Sequence, residues 1–102
     1  MDVKEIRKRI VDFSTKRASK VGFTLTPETA FIHLTEEVGE IARQLSNKKI
    51  RKELYDKQNL KEEVVDVILE ALLLSHLLNV DLDSEIDNKL KALYKKHGLS
   101  YE

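Results

Sequence analysis

The chain has no cysteine, which excludes disulfides, thiolate zinc sites and cysteine nucleophiles. One proline and three glycines in 102 residues leave few turn signals, so long helices are favoured. No apolar run reaches the ~18 residues of a membrane span, and the opening Met1-Asp2-Val3-Lys4 does not resemble a secretory leader. Neither charge sign is in excess, with 18 basic against 18 acidic residues, which argues against a generic nucleic-acid binder. What these absences leave is a cytoplasmic, all-α, single domain spanning residues 1–102. At this length folding buries roughly 65% of the unfolded chain's surface, so the core is small and association would help it.

The charge balance hides segregation. Residues 1–27 carry seven basic and three acidic side chains, whereas residues 58–87 carry one basic and eight acidic. Residues 48–57 and 88–102 are basic again. An acidic patch faced by basic flanks is one reading of this alternation, and ordinary solvated helix surfaces are the other.

Apolar spacing predicts four helices. Val3, Ile6, Ile10 and Phe13 mark a first helix over about 2–20, ended at Val21-Gly22. Thr26-Pro27-Glu28 opens a second, with Phe31, Leu34, Val38, Ile41 and Leu45 as its seam and Ser46-Asn47 as its stop. A basic connection over 47–58, with one short helical turn around Ile50 and Leu54, leads to a third helix. Its predicted cap is Asn59 with Glu62 at the third position, and it runs to about Leu78. The fourth carries Leu82, Ile86, Leu90 and Leu93 and closes at Gly98. The short turn Asn79-Val80-Asp81 predicts that helices three and four are antiparallel neighbours, in a four-helix bundle-like subunit associating into a dimer.

The third helix is apolar in nearly every direction, which predicts a central, buried element. One arc of about 100° breaks this in its first half and holds Glu62, Glu63, Asp66 and Glu70. Glu62 is explained by capping alone. On the second helix Glu36, Glu37 and Glu40 share a similar arc, with Glu37 nearest the seam. Side by side, the two helices bring Glu37 and Glu40 towards Glu63 and Asp66. Two unit charges ~5 Å apart cost roughly 3 kcal/mol at an effective dielectric of 20, so such a quartet needs either protons or a cation. All-oxygen ligands suit Mg²⁺, Mn²⁺ or Ca²⁺ rather than zinc, and Mg²⁺ best where a substrate phosphate completes the shell. His33 falls in the arc of Glu37 and reads as a hydrogen-bonding or surface histidine; His76, among leucines, reads as packing.

The strings Glu36-Glu37-Val38-Gly39-Glu40 and Glu62-Glu63-Val64-Val65-Asp66, with 22 residues between Glu40 and Glu63, resemble the paired acidic motifs of MazG-like nucleoside triphosphate pyrophosphohydrolases. The likeness covers about residues 26–97. It implies an all-α fold and Mg²⁺-dependent cleavage of a nucleoside triphosphate between the α- and β-phosphates, with Mn²⁺ as a substitute. It further implies Glu37, Glu40, Glu63 and Asp66 as metal ligands and Glu36 as the residue that orients or deprotonates water. A homodimer or homotetramer is the implied assembly. Among the lysines, Lys91 and Lys95, four residues apart, are the candidates for the phosphate tail. The asparagine and arginine common near the end of this helix in the family are replaced here by Leu93 and a lysine. Phosphoribosyl-ATP pyrophosphohydrolase is the nearest alternative, although Asp66 is followed by Val67-Ile68-Leu69-Glu70 rather than that group's Tyr-His. A non-catalytic metal-binding helical assembly module is the alternative of another class.

Overall fold

A computed structural model describes residues 1–101. Within them the chain forms four α-helices and no strand: α1 Val3–Val21, α2 Pro27–Ile50, α3 Lys57–Leu77 and α4 Leu82–Lys96, with a 3-10 turn at Lys52–Leu54. The ends are set locally. The Asp2 carboxylate accepts from the Glu5 N–H to start α1, and Gly22, at φ 90°, closes it in the left-handed conformation that glycine tolerates. Thr26 and Thr29 cap each other reciprocally ahead of Pro27 to start α2.

Two boundaries differ from those expected. α2 continues past Ser46-Asn47 to Ile50. Asn47 is buried inside the helix rather than ending it, and its carbonyl accepts from the Arg51 N–H at 2.9 Å. The cap of α3 is Asp56, not Asn59: the Asp56 carboxylate accepts from the Asn59 N–H at 3.0 Å. Asn59 is engaged elsewhere. Its side-chain oxygen accepts from Gln44 Nε2 at 2.9 Å, while Gln44 Oε1 accepts from the Asp56 N–H at 2.9 Å. Gln44 thus ties the first turn of α3 to α2 and fixes the register of the two helices.

α3 lies between α1 and α2 and packs on both. The core is Ile10, Ala30 and Leu73, with Val11, Leu25, Leu69, Leu72, Leu74 and Leu77 against it. Ser14, Ala18 and Ala30 are small and buried where helices approach. Arg7 anchors the turn after α3, donating from Nη1 to Ser75 Oγ at 3.2 Å and to the Val80 carbonyl at 2.7 Å.

The third helix is central, as its composition predicts, but it is not buried within the single chain. Leu73 is its one buried residue, and Val65 and Ile68 are 53% and 54% exposed. On α2, Phe31, Val38 and Leu45 of the expected seam are exposed as well. α4 also departs from the expected neighbour arrangement. It does not pack along α3, and Ile86, Leu90 and Leu93 remain open. Consequently the radius of gyration is 16.8 Å, against about 13 Å for a compact chain of this length. The accessible surface is 7869 Å², against about 5,900 Å² expected for a compact monomer of this mass.

Candidate metal centre

Helix register builds the centre. Glu63 and Asp66, three residues apart, share one face of α3. Glu37 meets them from α2, and one ligand oxygen from each of the three residues lies within 4.8 Å of the others. Glu37 and Glu63 are half-buried, and Glu63 Oε2 is buried with no hydrogen-bond partner among the described residues. An orphaned acceptor costs on the order of 1–3 kcal/mol, and more for a charged group, so a native fold keeps one where a ligand satisfies it.

The electrostatics point the same way. The hydrogen bond that the protonated Glu37 carboxyl donates to Glu63, burial, and the charges of Glu63 and Asp66 push the Glu37 carboxyl up to about 7. Without a cation the cluster therefore holds a proton near neutrality. The donor set is all oxygen, which fits Mg²⁺ or Mn²⁺ and does not fit a soft thiolate-seeking metal.

The remaining expected residues stand differently. Glu40 is outside the group of three; it is half-exposed and ion-paired with Arg43, which lowers its carboxyl below the usual range. Glu36 is on the exposed side of α2 and Glu62 is exposed at the start of α3. Lys91 is paired with Asp87 at 2.8 Å on α4. That helix, which also carries Lys95, makes no extensive packing on α2 or α3, and the fold of the single chain does not gather these lysines with the acids.

Three features of the site were not assigned to it from sequence. His33 stands between two acids, with Nε2 3.3 Å from Glu37 Oε1 and Nδ1 3.1 Å from Glu70 Oε1. Its sharing of the Glu37 arc was the available signal. A cavity of about 610 Å³ opens on Glu37 and Asp66, and its far wall is α1, including Arg9, Phe13 and Arg17. The basic excess of residues 1–27 was a trace of that wall.

Residues 25–98 match the family model described as the MazG nucleotide pyrophosphohydrolase domain. The chain belongs to the MazG family. No curated protein and no solved structure matches it significantly. The MazG match includes both acidic motifs, the connection and α4, and begins after α1. α1, which forms the far wall of the cavity, lies outside the matched residues.

Proposed function

We propose that this protein is a Mg²⁺-dependent nucleotide pyrophosphohydrolase that converts a nucleoside or deoxynucleoside triphosphate into the monophosphate and pyrophosphate. Removal of noncanonical nucleotides from the cytoplasmic pool is the role such chemistry suits. The observation that carries the reading is the buried, unpartnered Glu63 Oε2 inside the group formed with Glu37 and Asp66, in a chain of this family.

Glu37, Glu63 and Asp66 would hold the metal, and Glu40 would join them on leaving Arg43. Bound there, Mg²⁺ supplies positive charge against that developing on the phosphate oxygens. Glu36 accepts a proton from water as the water oxygen bonds to phosphorus and the bridging P–O bond breaks, so that pyrophosphate separates from the monophosphate. His33 limits the freedom of Glu37 from the other side. Cations must also meet the triphosphate tail. In our reading the unit is a homodimer, or a tetramer built from dimers, in which Lys91 and Lys95 of each copy serve the acidic centre of the other. The roughly 2,000 Å² of surface beyond the compact-monomer value supports this, because stable interfaces bury about 800 Å² or more per partner.

The test is turnover of a panel of common, deoxy and damaged triphosphates with Mg²⁺, resolving pyrophosphate from orthophosphate, beside a Glu63→Gln control. Pyrophosphate release that vanishes in the control is expected. Orthophosphate as the product contradicts the assigned bond, and turnover of phosphoribosyl-ATP alone moves the protein to that alternative. Metal-dependent melting with no turnover of any substrate favours the assembly module. Mixing Glu63→Gln with a Lys91→Ala/Lys95→Ala variant should restore part of the activity each lacks alone.

A further inference from the structure

The cavity beside the acidic group has two chemically different walls. α2 and α3 contribute His33, Glu37, Asp66, Glu70 and Leu69; α1 contributes an apolar surface with two guanidinium groups. Its volume of about 610 Å³ falls within the ~300–1,000 Å³ of small-molecule sites. Because the cavity shares Glu37 and Asp66 with the metal-binding group, a triphosphate held there leaves its nucleoside facing α1. Phe13 lines this wall and is 59% exposed, so its ring is accessible to a ligand in the cavity. Arg9 and Arg17 flank it.

The opposite wall carries one acceptor not used by the metal-binding group. Glu70 is largely buried, with 12% side-chain exposure, and its Oε1 is held 3.1 Å from His33 Nδ1. It lines both this cavity and the smaller one continuing from it past Arg17 and His33 towards Ser14, Ala30 and Leu73. A carboxylate oxygen accepts hydrogen bonds and cannot donate them when ionised. Facing a base edge, it favours an exocyclic amino group and repels a keto oxygen.

We propose that the cleft between α1 and the α2–α3 pair seats the nucleoside, with Phe13 stacking on the base and Glu70, steadied by His33, selecting bases that present an amino group. The inference rests on the nucleotide reading above and names its substrate class: cytosine- or adenine-type nucleotides over uracil- or thymine-type ones. Glu70 acts here as a specificity-determining residue, and His33 is a positioning residue.

The cleanest probe is equilibrium binding of cytidine and uridine monophosphates, which differ at the edge in question, measured by calorimetry in parallel with turnover of the two triphosphates. Cytidine monophosphate should bind about tenfold tighter, the scale of one discriminating hydrogen bond. Glu70→Gln introduces an amide donor and should bring the ratio close to one, in binding and in KM alike. Phe13→Ala, at an exposed position that leaves the fold intact, should weaken both ligands by about tenfold with the ratio kept. Equal binding of the two monophosphates, a ratio unmoved by Glu70→Gln, or indifference to Phe13→Ala overturns the inference. The last result is also the one expected if a second copy of the chain fills the cleft. Pyrophosphate release with no base preference removes this inference and leaves the hydrolase reading standing. A Glu70-dependent preference in binding without any turnover does the reverse.

Discussion

α2 and α3 form one kind of region and α4 another, although all three carry stripes of apolar residues at helical spacing. α2 and α3 lie against each other, held in register by the bracket of Gln44 between Asp56 and Asn59 and by the burial of Ala30 and Leu73. α4 is tied to α1 near its start, by Arg7 to the Val80 carbonyl and by Lys4 to Asp83 at 2.9 Å. Its stripe of Ile86, Leu90 and Leu93 stays exposed, and α4 makes no extensive packing against α1, α2 or α3. The difference teaches that periodicity identifies an adhesive face without naming what adheres to it. Polar brackets such as Gln44 decide the pairing, because a buried donor or acceptor accepts far fewer partners than a methyl group does.

The largest effects should come from the α2–α3 side. Glu63→Gln removes a ligand oxygen's charge, and pyrophosphate release should fall by at least about a hundredfold. The same change relieves repulsion, so the metal-free variant should melt a few degrees above the wild type, by roughly the shift a 1 kcal/mol gain produces. Lower activity with an unchanged or lower melting temperature would mean that the acids do not strain the metal-free fold. That outcome would erase the energetic contrast between the two regions.

Next comes pH. The Glu37 carboxyl is raised from 4.5 to about 7 in the folded chain, so between those values the folded state keeps a proton that the unfolded state has lost. Metal-free stability should therefore decline as pH rises from about 4.5 through 7. Metal must displace that proton, so apparent Mg²⁺ affinity should weaken by up to about tenfold per pH unit below 7 and level off above it. Calorimetry in two buffers of different ionisation enthalpy would count the proton released. A count of zero at pH 6 would remove Glu37 from the ligand set.

The α4 side is tested by association. Leu90→Asp alters a residue that is exposed in the protomer, so helicity should persist while the mass measured by light scattering falls to that of one chain. A wild type already at one chain's mass would leave the α4 stripe without the occupant assigned to it. The smallest effect belongs to the cap of α3. Asp56→Ala should cost about 1 kcal/mol in urea unfolding. Glu62→Ala should cost less, since the structure gives Glu62 no part in the cap. The reverse order would restore the capping box read from the sequence.

That last pair shows where local reading stops. Asn59-Leu60-Lys61-Glu62 has the form of a capping box, yet Asp56 lies three residues earlier and can do the same work. The choice fell to Gln44, fifteen residues before Asn59, which occupies the Asn59 side chain. Asn47 is similar: a residue that often stops helices is carried inside α2 because tertiary packing buries it. Of the acidic residues, Glu37, Glu63 and Asp66 were legible as a converging set from their arcs. Glu40 shares the arc of Glu37 but sits one turn further on, where Arg43 captures it. The α1 wall left only faint traces such as the basic excess of residues 1–27, because a stripe of Ile6, Ile10 and Phe13 looks the same whether it fills a core or lines a cleft.

The amino-acid sequence by itself determined the helical class, the four segments, the family and the faces on which the acids lie, because each depends on spacing along one helix. Tertiary structure alone decided which acids meet, that His33 and Glu70 join them, that α1 faces them across a cavity, and that α4 stands away. Those outcomes depend on the register and angle between helices. They are set by a few polar contacts and small side chains whose partners are distant in the chain, and no periodicity within a single helix carries that information.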